Sequence, residues 1–157
     1  MNIEQRPDEV LLWLDLNAGI DFVRKNEKGI QGVAWRAQWG HSFDTFTIRS
    51  KRHSGARTEL EKRIEAIKEG YFYPAFTMQA YFDNRQNNNC ISCAIIKTTD
   101  LYQAYIDSPG IFKKRKSNNE FYFADWSDLH GLVKIWRNGY AIMNEKKQFA
   151  KQIEIAF

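Results

Sequence analysis

Two neighbouring runs in this chain alternate in character, and they constrain the fold more than any other feature. In Gln31 to Trp39, residues Val33, Trp35, Ala37 and Trp39 share one face, leaving Arg36 and Gln38 on the other. In Phe43 to Lys51, Phe46 and Ile48 look inward while Thr45, Thr47, Arg49 and Lys51 look away. A period of two belongs to a strand, because successive side chains leave opposite faces of a sheet. The linker Gly40-His-Ser42 is short and polar, so the two runs are expected to pair as adjacent antiparallel strands.

The rest of the chain is read around that pair. Pro7 to Asn17 has helical spacing at Val10, Leu11 and Leu14, with Pro7 in the first turn and Asp8 and Glu9 near the positive dipole end. Ile20 to Lys25 is the first strand. Thr58 with Glu61 forms a capping box for a helix to about Glu69, whose buried stripe is Leu60, Ile64 and Ile67 and whose stop is Gly70. Strands are expected over Pro74 to Phe82, Cys90 to Ile96, Glu120 to Asp125 and Leu132 to Arg137, with a short helix from Thr98 or Thr99 to Ile106. Asn138-Gly139 signals a hairpin into Tyr140 to Met143, and Asn144 caps a last helix to about Ile153. With 157 residues and no linker or repeat, this is one domain: a helix–strand core over 1–82 and a mixed extension over 83–157. The class is α/β or α+β, with a mixed, largely antiparallel central sheet and flanking helices.

Charge is unevenly placed. Arg49, Lys51, Arg52 and Arg57 lie in a stretch from Thr45 to Arg57 without an acid, and Lys113, Lys114, Arg115 and Lys116 form a second. Outside these eight residues the chain has 15 basic and 19 acidic residues. Clustered basicity suits a polyanion partner, nucleic acid above all, and Arg36, Arg49, Lys51, Arg52 and Arg57 are the expected phosphate contacts. Two solvated loops are the bland alternative. No apolar run reaches the length of a membrane span, and the acidic N-terminus lacks the pattern of a signal peptide, so a soluble cytoplasmic location is expected.

Several chemistries find no motif. No Gly-Lys-Ser/Thr loop, G-x-G-x-x-G or Gly-x-Ser-x-Gly occurs. Cys90-Ile-Ser-Cys93 has no second pair, and His41, His53 and His130 are scattered, so the cysteines are expected to be reduced thiols of a strand. Strand alternation instead gathers Asp21, Arg36, Gln38, Thr47, Arg49 and Gln79 on one sheet face, which is either a site or the wet side of a half-buried sheet. A second expected feature is a phosphate site where Lys51-Arg-His53, Ser54, Gly55 and Arg57 meet the start of the second helix.

The order helix, three strands, helix, strand, together with Gly19-Ile-Asp21 and a following Gln-bearing strand, resembles the restriction-endonuclease-like PD-(D/E)XK nucleases over about residues 5–82. The resemblance implies a magnesium-dependent endonuclease acting on DNA, with Asp21 as catalytic and metal-binding carboxylate, Gln38 as the later strand ligand and Glu9 as an added helix acid. The sequence departs from that pattern: no acid or Gln stands two residues before a Lys in either candidate strand, since Gln38 precedes Trp39-Gly40 and Arg49 precedes Lys51. The rival expectation is a non-catalytic protein of this fold that engages nucleic acid, a second copy of itself or a protein of a nucleic-acid-processing machine. A small-molecule enzyme using the polar sheet face is the third.

Overall fold

The computed structural model describes residues 15, 18–26, 29–86, 89–115 and 119–137. The expected helix over 7–17 with Glu9, the Asn138-Gly139 hairpin, the strand over 140–143 and the last helix lie outside them, apart from Asp15. Eight strands are described: β1 (Phe22–Asn26), β2 (Gly29–Trp39), β3 (Thr45–Arg49), β4 (Phe76–Phe82), β5 (Cys90–Lys97), β6 (Lys113–Arg115), β7 (Phe121–Asp125) and β8 (Val133–Arg137). Two α-helices, α1 (Glu59–Glu69) and α2 (Thr98–Asp107), accompany them. The class is α+β, with mostly antiparallel pairing. No described helix is long and apolar enough to cross a membrane.

The strands form two sheets, one ordered β1-β2-β4-β5-β8 and the other β3-β7-β6. Every pair is antiparallel except β2 with β4, where Arg36 lies beside Gln79 and Gln38 beside Tyr81. The expected β2–β3 hairpin does not form: β3 pairs with β7, Ile48 against Tyr122. The linker explains the departure. Gly40 N–H donates to the carbonyls of Phe82 (3.0 Å) and Asp83 (3.2 Å), so the chain follows β4 past its end instead of reversing. Asp44 then turns it at φ 50°, held by hydroxyls of Ser42 and Ser92, by Arg137 and by Trp126 N–H donating to its carbonyl. A tight two-residue turn would have closed the hairpin; this five-residue bend launches β3 into another sheet.

The KKRK segment also departs from expectation, since Lys113–Arg115 is strand β6 and not loop. β3 and β6 flank β7, so the two basic stretches become neighbours. Glu120 joins them, taking Lys51 at 3.9 Å and Lys114 at 2.5 Å.

Cores lie on both faces of the five-stranded sheet. One gathers Val33, Phe76, Met78, Ala80, Phe82, Cys93 and Ile95, with Trp35 and Ala37 against them. The other packs Phe46 and Ile48 of β3, Tyr81, Ala94 and Ile96 of the large sheet, and Leu101 and Tyr102 of α2 around Trp126. That double burial gives β4 and β5 their near-continuous apolar character. α1 follows its capping signals: Thr58 Oγ1 accepts from Glu61 N–H (3.3 Å), Glu61 accepts from Thr58 N–H (2.7 Å), and Gly70 closes the helix at φ 69°. Its most buried face carries Arg63 and Ala66, while Leu60, Ile64 and Ile67 are half-buried beside them.

Candidate functional site: a roofed polar cleft

The even-numbered face of β2 and the odd-numbered face of β4 put Ala34, Arg36, Thr77 and Gln79 side by side. This face is not the wet side of an open sheet. β3 and α1 cross over it, and Gln79 is only 1% exposed. The space left is a cavity of about 310 Å³, lined also by Asp15, Gly19, Asp21, Thr47, Arg52, Glu59, Lys62 and Arg63.

A hydrogen-bond chain organises its floor. Arg36 donates to Thr47 Oγ1 (3.0 Å), and Thr47 donates to Gln79 Oε1 (3.1 Å). The second Arg36 nitrogen meets Glu59 Oε2 at 2.6 Å. Gln79 Nε2 is buried with no hydrogen-bond partner among the described residues, and so are Arg49 Nε and Arg52 Nε. Buried donors of this kind are costly without an acceptor, and Gln79 and Arg52 bring two of them to the cleft.

Three arginines lie together at one side, Arg36 and Arg52 lining the cleft and Arg49 beside them. Arg36 and Arg49 lie over the Phe121 ring, 5.6 and 5.3 Å from its centroid. Burial, then the charges of Arg36 and Arg52, pull the Arg49 guanidinium below its usual pKa, against the pull of Glu59. Arginine nonetheless stays charged at any physiological pH. The repulsion among the three is a field that an anion would relieve.

Across the cleft sits Asp21, just before β1. Its N–H donates to Val33 O (3.0 Å), and its carboxylate accepts Trp35 N–H, so both ends clip it to β2. Burial raises its pKa; the Trp35 bond opposes this, Asp15 adds to it, Arg63 opposes and Glu59 adds. Gly19 has a structural task in the Gly19-Ile-Asp21 run. Its φ is 57°, and a Cβ there would overlap the Arg63 guanidinium. Arg63, buried on α1, donates to the carbonyls of Ala18 and Gly19, the second at 2.7 Å, and so fixes the segment that presents Asp21. Nothing in the helical pattern of α1 separated Arg63 from its exposed neighbours; only its i+4 spacing from Glu59, on the face toward Gly19, marks it.

The other expected site residues are distributed as follows. Arg36 and Arg52 line the cleft, and Arg49 lies beside them without lining it. Lys51 turns to Glu120 and Arg57 to Glu65. Gln38 stands further along β2, in a second cavity away from Asp21. At the helix start where a phosphate site was expected, the capping box engages the Thr58 and Glu61 N–H groups and Glu59 stands in the first turn. Glu59, which the sequence reading passed over, is the acid that faces Arg36. Its signal was available: it is the first helical residue after a capping Thr. Cys90 and Cys93 are reduced and buried, burial pushing the Cys90 thiol up to about 11 and Cys93 higher still.

The magnesium implied by the nuclease resemblance can be tested on the donors. Asp15, Asp21 and Glu59 are hard oxygen ligands on one cavity, the right chemistry for that ion. Their arrangement does not fit it. Glu59 is taken by Arg36, Asp21 is engaged by Trp35, and among the described residues no three acids or other ligating groups converge. Compared with protein-family models, curated proteins and solved structures, the chain has no match.

Proposed function

We propose that this protein binds nucleic acid, with the polar cleft receiving a backbone phosphate. The observation that carries the reading is the cluster of Arg36, Arg49 and Arg52, in which the charges repel and Arg49 and Arg52 each bury an unpartnered Nε, a set that suits an anion with several acceptor oxygens. Phosphate answers that demand, and Arg115 on the neighbouring β6, whose Lys113 and Lys114 are paired with Asp125 and Glu120, adds one further charge. Glu59 holds Arg36 until a phosphate replaces it.

The test is fluorescence anisotropy with single- and double-stranded DNA and RNA over a range of salt. Binding should weaken with salt, and Arg52→Gln or Arg49→Gln should reduce the log–log slope by about 0.7–0.9. Salt-independent binding, or none to any of the four, would overturn the proposal.

A further inference from the structure

A second cavity, of about 500 Å³, opens between the two sheets on the far side of Thr47, whose side chain lines both. Its character is different. Phe43, Phe121 and Phe123 line it, together with Gln38, Arg115 and an Asp125 that is held by Lys113. Phe43 is 54% exposed, an unusual position for a large ring beside a cavity. Phe121 is the ring on which Arg36 and Arg49 lie, so the aromatic slot and the arginine wall are built on one side chain.

From this juxtaposition we infer that the second cavity is a nucleobase subsite, and that the nucleic acid bound is single-stranded. The inference rests on the phosphate reading of the first cleft and extends it. A base one sugar away from a bound phosphate needs a flat apolar face to stack on and a few polar groups at its rim. The slot offers aromatic rings for the face. At the rim, the Gln38 amide both donates and accepts, and Arg115 donates. A base paired inside a duplex has no free face to present, whereas one in a single strand does. Continuity through Thr47 and Phe121 selects a nucleotide over an unrelated apolar ligand, because the phosphate-seeking charges sit on the same wall.

The test compares three probes of equal length by anisotropy: a single-stranded oligodeoxynucleotide, the same strand with abasic sites, and the duplex. The single strand should bind about tenfold tighter than the abasic strand, the range expected for losing base–aromatic stacking. Phe43→Ala should bring the two close to equal while leaving abasic affinity unchanged. Because Phe43 is exposed, this variant should fold, with circular dichroism as the check; Phe123→Leu provides the same readout from β7. Equal binding of the single and abasic strands by the wild type, or a duplex bound as tightly as the single strand, would overturn the base subsite and leave the phosphate cleft standing. Binding of none of the probes would remove the phosphate reading, and the subsite with it.

Discussion

Glu59→Gln tests whether this residue is the counter-ion that competes with phosphate for Arg36. Glu59 and Arg36 are joined at 2.6 Å, with side chains 20% and 27% exposed, between a surface pair and a buried one. Exposed pairs contribute about 0–1 kcal/mol and broken buried pairs cost about 3–5 kcal/mol, so about 1–2 kcal/mol is expected here. Loss of an acid from the first turn of α1 adds about 0.3–1 kcal/mol. For a domain of this size the total lowers Tm by roughly 3–10 °C. Binding should move the other way. Glutamine keeps the shape and an acceptor oxygen but not the charge, so Arg36 is freed for phosphate. One added contact steepens the single-strand salt slope by about 0.7, worth roughly fivefold in affinity at about 0.1 M salt. The measurements are thermal unfolding and anisotropy across salt with a single-stranded probe. A destabilised variant whose affinity and slope are unchanged, or whose affinity falls, would refute the claim that Glu59 competes with phosphate for Arg36.

Three further outcomes follow from the site and its supports. Gly19→Ala combines a left-handed φ with overlap of the Arg63 guanidinium, and should destabilise by about 2 kcal/mol or more, seen as a lower denaturant midpoint at unchanged m; wild-type stability would show that Arg63 is not seated against Gly19. Asp21 has a raised pKa, so its ionisation opposes folding: its contribution is fully present below the ordinary carboxylate range and is lost as pH rises through the folded value. Asp21→Asn, which can still accept from Trp35, should therefore be more stable than wild type at neutral pH and equal to it in acid, and a neutral-pH loss would contradict this. Cys90 and Cys93, buried with raised thiol pKa values, should label with a thiol reagent only after denaturation; fast native labelling of either would place it at the surface.

Much of the local structure was legible in the residues themselves. Period-two alternation located β2, β3 and β4, and Thr58, Glu61 and Gly70 bounded α1 nearly to the residue, because capping and pleating act over a few positions. Of the six polar residues that alternation put on one face, Asp21, Arg36, Thr47 and Gln79 line one cavity, whereas Gln38 and Arg49 do not. Alternation says which face a side chain takes, however, and not what lies over that face. Gln79 reads as a wet-face residue and is buried because β3 and α1 roof it.

Tertiary structure alone decided the partners. Strand pairing is non-local, and a short polar linker does not distinguish a hairpin from a bend that carries the chain into a second sheet; the hydrogen bonds of Gly40 and Asp44 to distant strands made that choice. Charge behaved in the same way. The two acid-free stretches look equivalent along the chain, yet Glu120, Glu65 and Asp125 take Lys51, Lys114, Arg57 and Lys113 from elsewhere in the fold. The arginines left over, Arg52 on the cleft and Arg49 beside it, are those that folding set near Arg36. A sequence fixes how many charges a segment carries, but Coulomb energy depends on distance and burial, and only the folded chain assigns those.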